Sequence, residues 1–290
     1  MQNELKGTGV ALITPMNEDL SIDYDGLLKL IKHTASGGVD YFVVNGTTGE
    51  SATTNKDEKW ELLRFVLDNN SKGLPVVYGT GGYDTLDIVE HISEMDWNGV
   101  AALLSVTPYY NRPSQRGVIA HYTAIADACP VPVIMYNVPK RTGTDMITET
   151  ILELAQHKNI VGVKEASGDI GKIIDICEKK LDDFLVISGD DMLTVPMMSV
   201  GAIGAISVLA NAFPEDMSGM VRGALEGNYE KASQFLYKLN PVNPLMYVES
   251  SPVGIKQTLE LMGICRSDVR LPLVPASEQL KEKITNYLAR

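Results

Sequence analysis

The feature that most constrains the fold is a regular alternation of short apolar runs with segments of helical periodicity. Eight runs are rich in apolar and β-branched residues and have the length of buried strands. They occupy residues 10–14, 41–45, 75–79, 100–106, 133–137, 160–164, 185–188 and 202–207. Between them, apolar residues recur about every 3.6 positions, as in residues 24–36 and 57–69. Strands that alternate with helices predict a parallel sheet.

The number of strands favours an α/β fold of one particular kind, the closed (β/α)8 TIM barrel. An open doubly wound sheet is the alternative, but it usually has a glycine-rich phosphate turn after its first strand, which residues 14–16 do not form. Residues 229–239, 248–262 and 277–289 have helical periodicity with no strand run before them. We therefore predict a catalytic barrel in residues 1–227 and a C-terminal helical domain in residues 228–290.

Charge and cysteine content exclude several classes of function. The formal net charge is −12 and Lys and Arg form no cluster, so a nucleic-acid partner is not expected. No uncharged apolar run reaches about 18 residues, so no membrane partner is expected. The N-terminus has no apolar signal region. Three widely spaced cysteines indicate a reducing compartment, and the expected location is the cytoplasm.

Lys164 is the residue with the clearest chemical implication. It ends the apolar run at residues 160–164, where burial disfavours the charged ammonium form and lowers its pKa. A partly neutral lysine is a nucleophile toward carbonyl carbon, which indicates Schiff-base chemistry. The alternative is a structural lysine that reaches the strand end and pairs with Glu165.

Other strand ends of the predicted barrel carry polar groups that could bind and act on a substrate. The segment at residues 46–51 places Thr47 and Thr48 between glycines, where N–H groups and hydroxyls can hold a carboxylate or a phosphate. Tyr136 ends the fifth run and suits proton transfer, and Arg141 beyond it could clamp a carboxylate. The alternatives are a plain capped turn, a core tyrosine and a surface arginine.

Two further segments have less specific signals. Tyr109 and Tyr110 lie between prolines and face a cleft or an interface, or else pack beneath a loop. Asp190 and Asp191 follow the seventh run, but no histidine accompanies them, so we expect no metal and interpret both as caps of the next helix. A lysine, a tyrosine, hydroxyls and a carboxylate-binding turn on one rim would suit a pyruvate-type substrate.

The chain resembles the dihydrodipicolinate synthases, within the family of N-acetylneuraminate lyase and related pyruvate aldolases. The segments that carry the resemblance are residues 46–51, 107–114, 136–143 and 162–166, and the match covers essentially the whole chain. The resemblance implies a (β/α)8 barrel with a C-terminal helical domain. It also implies condensation of pyruvate with L-aspartate 4-semialdehyde in lysine and diaminopimelate biosynthesis, without a cofactor or a metal.

The resemblance further implies a role for each matching residue. Lys164 would form the Schiff base with pyruvate. Tyr136, Thr47 and Tyr110 would form a proton relay, with Tyr110 supplied by the partner subunit of a tight dimer, and the expected assembly is a dimer of dimers. The residues implied in substrate binding are Thr47 and Thr48 for the pyruvate carboxylate, Arg141 for the semialdehyde carboxylate, and Gly189 and Ile206 as pocket lining.

Two other functions remain open at this point. One is a different pyruvate-dependent aldolase or lyase that acts on a sugar acid such as N-acetylneuraminate or a 2-keto-3-deoxy acid; the presence of Arg141 favours the synthase. The other is a catalytically dead barrel used for binding or regulation, which the intact set of Lys164, Tyr136, Thr47 and Tyr110 argues against.

The chain departs from lysine-inhibited relatives in the segments that match their regulatory cleft. Lys56 and Lys59 stand where such relatives commonly have histidine, Tyr83 where they have asparagine, and Asp87 where they have glutamate. Two additional cations would repel the ammonium groups of lysine. We therefore predict weak or absent feedback inhibition.

Overall fold

Within residues 2–290, eight parallel strands form one closed barrel in which each strand pairs with the next and the last pairs with the first. The structure is a computed structural model that describes residues 2–290, with side chains from residue 4 onward. Strands β1 to β8 span Gly7–Ala11, Tyr41–Val44, Val76–Thr80, Val100–Val106, Val133–Asn137, Ile160–Glu165, Leu185–Ser188 and Gly204–Ser207. The predicted (β/α)8 barrel is confirmed.

Twelve α-helices lie in this described part of the chain. Helices α1 to α12 span Tyr24–Ser36, Lys56–Asp68, Thr85–Glu94, Gln115–Ala128, Pro139–Thr142, Thr148–Leu154, Ile170–Lys179, Thr194–Ser199, Pro214–Leu225, Tyr229–Leu239, Val253–Leu261 and Glu278–Leu288. Several helices begin at a polar side chain that accepts a backbone N–H of the first turn, as Asp23 does for α1 and Asn55 for α2. None of the helices in residues 2–290 is long and apolar enough to cross a membrane.

The first strand begins three residues earlier than the sequence predicts. Gly7 and Gly9 weaken the apolar signal, but they allow the chain to pass very close to its neighbours. A Cβ atom on Gly9 would lie 2.2 Å from the ring of Tyr41, and one on Gly204 would lie 1.9 Å from the carbonyl oxygen of Gly7. Glycine therefore serves here to close the barrel, because any side chain would clash.

The C-terminal segment contains helices only, as the pattern predicts. Helix α10 packs against α9 and α8, and α12 packs against α11. The predicted helix over residues 248–262 begins later, at Val253, because Ser250 has a φ of 77° and Pro252 follows it. The domain boundary at residue 227 stays a prediction.

The barrel interior is filled by a layer of apolar side chains from alternating strand positions. This interior cluster comprises Leu5, Ala11, Tyr41, Val43, Val77, Ala102, Leu104, Ile134, Tyr136, Val138, Leu185, Ile187 and Ile206. A larger apolar cluster fills the space between the strands and the surrounding helices. Since the interior is closed by apolar side chains, polar groups at the carboxyl ends of the strands face an open cavity above it.

Candidate active site

A cavity of about 330 Å³ opens at the carboxyl ends of the barrel strands. Its walls include five of the residues that the sequence singles out: Thr47, Thr48, Tyr136, Arg141 and Lys164. Residues 250–252 and 272–273 of the C-terminal segment also line it. The structure thus brings Thr47 and Lys164, which lie 117 positions apart in the chain, to one cavity.

Lys164 lies on β6 directly beside Tyr136 on β5, as the strand register requires. The residue is only 6% exposed, and its Nζ lies 4.2 Å from the centre of the Tyr136 ring. Burial lowers the pKa of the amine from 10.5 to about 8; the charge of Asp191 opposes this shift and that of Arg141 adds to it. About a tenth of the amine is therefore neutral at pH 7 and about half at pH 8.

The alternative pairing of Lys164 with Glu165 is wrong. Successive residues of a strand point to opposite faces, so Glu165 points away from the cavity. Its buried carboxylate lies 3.2 Å from the Nζ of Lys172 and accepts hydrogen bonds of 3.0 Å from the side-chain amide of Asn137. Among the described residues Lys164 has no such ion pair, and its amine is left facing the cavity.

Asp191 does not line the cavity, but its charge raises the pKa of Lys164, an effect that sequence reasoning missed. Asp190 caps the following turn as expected, accepting the N–H of Met192 at 3.0 Å. Asp191 is instead buried, and its Oδ2 accepts N–H groups of Val208 and Leu209 at 3.2 and 2.9 Å. Burial raises its pKa to about 6, against the effect of these hydrogen bonds. The one sequence signal that could have indicated its effect on Lys164 is its position in the loop after β7, on the same rim of the barrel as Lys164.

Tyr136 is buried at the end of β5, and its ring forms the surface against which the Lys164 amine lies. Burial raises the pKa of the phenol to about 12, with a smaller opposing effect from Arg141. The hydroxyl therefore keeps its proton at neutral pH and is available as a donor.

Thr47 and Thr48 lie in a single 3₁₀ turn, Thr47–Gly49, that follows β2. The hydroxyl of Thr14 donates a hydrogen bond of 2.7 Å to the carbonyl of Gly49 and so holds the turn in place. The turn ends at Glu50, whose backbone has a left-handed φ of 56°. N–H groups at the start of a helical turn have no partner within it, which favours a negatively charged ligand.

Arg141 is exposed at the entrance of the cavity, on the short helix α5. The helix begins with Pro139, whose fixed φ suits a first helical position, and ends at Gly143 with a φ of 70°. This short turn holds a guanidinium above the cavity without burying it.

Gly189 and Ile206, the two remaining residues expected to line the pocket, lie next to the cavity and not in its wall. A Cβ atom on Gly189 would lie 3.1 Å from the Cε of Lys164, so glycine leaves the lysine stem the room it occupies. Ile206 is buried in the interior cluster beneath the cavity. Neither is among the described residues that line the cavity itself.

Tyr110 is not brought to the cavity within one chain. Its side chain is 87% exposed, its backbone has a φ of 72°, and its ring lies 6.4 Å from that of the exposed Tyr83. Tyr109, by contrast, lines the cavity and meets the Tyr83 ring edge-on. Two exposed aromatic rings beside the cavity form a surface that a single copy of the chain leaves open to water.

A family model described as the dihydrodipicolinate synthetase family matches residues 4–290. The chain belongs to this family. The 4-hydroxy-tetrahydrodipicolinate synthase of Cytophaga hutchinsonii is 55% identical over 278 residues, which cover 96% of this chain and 94% of that protein. The 4-hydroxy-tetrahydrodipicolinate synthase of Parabacteroides distasonis is 45% identical over 285 residues, which cover 98% of this chain and 96% of that protein.

Solved structures of the family have the same architecture. The dihydrodipicolinate synthase from Aquifex aeolicus superposes with a TM-score of 0.94 at 35% identity, covering 98% of this chain and 97% of that one. The chloride-inhibited enzyme from Acinetobacter baumannii, solved in complex with pyruvate, superposes with a TM-score of 0.95 at 36% identity and covers 98% of both chains.

A second cavity of about 300 Å³ lies beside the first in this member of the family. It is lined by Lys56, Lys59, Tyr83 and Asp87, the four positions from which weak lysine inhibition is predicted. Lys56 is paired with Glu94, whereas Lys59 has no ion pair among the described residues and burial lowers its pKa. Of the two lysines that the sequence places here, Lys59 is therefore the one without an ion pair among the described residues, although the charge of Glu58 acts on it.

Proposed function

We propose that the chain is a 4-hydroxy-tetrahydrodipicolinate synthase, a lyase of the class I aldolase type. It would condense pyruvate with L-aspartate 4-semialdehyde, the first committed step of lysine and diaminopimelate biosynthesis. The observation that carries the proposal is the buried Lys164 amine, with its lowered pKa, against the Tyr136 ring. The name shared by relatives up to 55% identical over nearly the whole chain supports the same assignment.

In the proposed reaction the neutral Lys164 amine adds to the ketone carbon of pyruvate, and loss of one water gives an iminium. The iminium draws electrons from the methyl group, which releases a proton and becomes the nucleophilic carbon of an enamine. That carbon attacks the aldehyde, whose oxygen takes up a proton. The amino group of the semialdehyde then displaces Lys164, which closes the ring and frees the enzyme.

The other residues of the cavity supply binding and proton transfer in this scheme. Thr47 and Thr48 hold the pyruvate carboxylate, and Arg141 holds the carboxylate of the semialdehyde. Gly189 leaves space beside the lysine, and Ile206 closes the floor. Because the covalent Schiff base on Lys164 serves as the electron sink, the reaction needs neither a cofactor nor a metal.

Tyr136, Thr47 and Tyr110 form the proton relay, and we propose that Tyr110 comes from the partner subunit. The exposure of Tyr110 and Tyr83 in one chain supports this, since such rings are typical of interface cores. The proposed assembly is a homotetramer, a dimer of dimers, located in the cytoplasm.

The test is turnover of pyruvate plus L-aspartate 4-semialdehyde, coupled to reduction of the cyclic product. We expect turnover with this pair and none with N-acetylneuraminate or a 2-keto-3-deoxy acid. Turnover of a sugar acid without turnover of the semialdehyde would overturn the assignment in favour of a related aldolase.

The pH dependence of pyruvate capture is expected to follow the Lys164 amine. Its neutral fraction should rise from about a tenth at pH 7 to about nine-tenths at pH 9, because its pKa is about 8. Asp191→Asn removes a charge that raises this pKa, so the midpoint should fall; Arg141→Met removes one that lowers it, so the midpoint should rise. Initial rates of cyanoborohydride capture at pyruvate concentrations well below saturation report the free amine, and they measure all three midpoints. Unmoved midpoints in both variants would contradict this electrostatic account.

Lysine is expected to inhibit weakly or not at all. The ammonium of Lys59 would repel those of an incoming lysine in the second cavity, at a cost on the order of 1 kcal/mol per screened pair. We expect no more than about a tenth of the rate to be lost at about 1 mM lysine. Steady-state rates with and without lysine measure this, and near-complete inhibition below millimolar lysine would refute it.

A further inference from the structure

A buried ion pair outside the reaction chemistry joins the C-terminal segment to the carboxylate-binding turn. Lys256 on α11 is 0% exposed, and its Nζ lies 2.5 Å from Oε1 of Glu50, whose side chain is 2% exposed. The same Nζ donates to the carbonyl of Asp268 at 2.6 Å. Buried ion pairs often stabilise a fold no better than apolar side chains of similar volume do, so stability alone does not explain this pair.

Glu50 has a backbone conformation that must be held by its surroundings. Its φ of 56° and ψ of 37° are left-handed, which is unfavourable for a residue with a side chain. In this conformation its N–H donates to the carbonyl of Thr47 at 3.1 Å, and its carbonyl accepts the N–H of Thr53 at 2.9 Å. Glu50 is therefore the pivot between the Thr47–Gly49 turn and the chain that leads into α2.

Among the described residues, the contacts to the Glu50 carboxylate come from the C-terminal segment. Lys256 contacts Oε1, and the backbone N–H of Arg270, 220 positions further along the chain, donates to Oε2 at 3.1 Å. Desolvating a carboxylate is costly unless both oxygens find such partners. Of these two contacts, the one from Lys256 is an ion pair made by a replaceable side chain, whereas Arg270 contacts the carboxylate through its backbone and its guanidinium acts on Glu50 only as a less direct charge.

We propose that Lys256 is a positioning residue for the carboxylate-binding turn, an inference that rests on the proposed function. It reaches no substrate. By holding Glu50 it fixes the left-handed pivot, and through the pivot it sets the orientation of the Thr47 and Thr48 groups that receive the pyruvate carboxylate. The C-terminal segment thereby acts on pyruvate binding through one buried ammonium.

The test compares Lys256→Met with Glu58→Gln, measuring borohydride capture as a function of pyruvate concentration. Lys256→Met leaves Glu50 buried without its cation, and we expect the half-maximal pyruvate concentration to rise about tenfold, as misplaced binding groups do. Glu58→Gln is the matched control. It breaks the ion pair of 2.5 Å between Glu58 and Arg270, another tie between the same two parts of the chain, and leaves Lys256 on Glu50. Glutamine also suits the N3 position that Glu58 occupies in the capping box, within the first turn of α2.

In the control we expect pyruvate capture to match that of the wild type. The KM for the semialdehyde and the pH midpoint of capture should be unchanged in Lys256→Met, since neither depends on the turn. A purely structural role would lower the unfolding temperature without this selective effect. An equal loss of pyruvate affinity in Glu58→Gln, or none in a folded Lys256→Met, would overturn the proposal.

A second variant keeps the proposal testable if Lys256→Met does not fold. Glu50→Gln preserves the shape of the side chain and removes its charge, and we expect a smaller rise in the half-maximal pyruvate concentration. Wild-type affinity in this variant would likewise overturn the proposal. Absence of pyruvate capture in the wild-type protein would instead refute the proposed function, and the positioning role with it.

Discussion

Lys164→Ala is expected to abolish covalent capture of pyruvate and to reduce turnover to background. The Lys164 amine is buried in the cavity against the Tyr136 ring, and in the proposed reaction it becomes part of the intermediate itself. Intact-mass measurement after borohydride reduction should show one pyruvyl adduct per wild-type chain and none in the variant.

The matched control is Lys59→Ala, because Lys59 also lines the cavity and its pKa is also lowered by burial. We expect this variant to retain one adduct per chain, and peptide mapping should place that adduct on Lys164. Stoichiometric capture by Lys164→Ala, or an adduct mapped to Lys59, would remove Lys164 from the proposed role.

Tyr136→Phe is expected to slow turnover by roughly 10²-fold or more, the usual size of a general acid–base contribution. The phenylalanine ring would keep the packing against Lys164, so the loss isolates the hydroxyl. Since the pKa of that hydroxyl is about 12, it is protonated at working pH and can pass protons to and from the iminium and enamine states. The measurement is kcat at saturating concentrations of both substrates.

Tyr41→Phe provides the control for the loss of a buried hydroxyl in the same interior cluster. Tyr41 is fully buried, and its hydroxyl donates to the carbonyl of Ala205 at 3.4 Å, below the cavity. We expect its turnover to stay close to that of the wild type. Equal slowing in the two variants would show that the effect comes from packing and not from proton transfer.

The fold was predictable because hydrophobic periodicity reports buried faces directly, and the barrel repeats that signal eight times. The signal fails at β1 and α11, two elements whose predicted first residues differ from those in the structure. At β1 the deciding residues are Gly7 and Gly9, which have no hydrophobic side chain and are required by close backbone contacts. At α11 the deciding feature is the left-handed backbone at Ser250, which no apolar pattern encodes.

The site was predictable where a single strand end carries its own chemistry, as with Lys164 and Tyr136. It was not predictable where the role depends on a distant partner. Asp191 has the local pattern of a helix cap, and only the barrel shows that it takes its hydrogen bonds from residues after β8. Lys256 has the pattern of a surface lysine in a helix, and only the fold brings Glu50 to it.

The contact between the Lys164 amine and the Tyr136 ring is set by the register of two neighbouring strands, whereas Arg141 is carried by a short helix outside the sheet. In the proposed reaction, the nucleophile and the group that binds the acceptor therefore lie on different elements, the strand β6 and the helix α5. If the proposed roles hold, substitutions within residues 138–144 should change the preference for the aldehyde while the contact between Lys164 and Tyr136 stays in place.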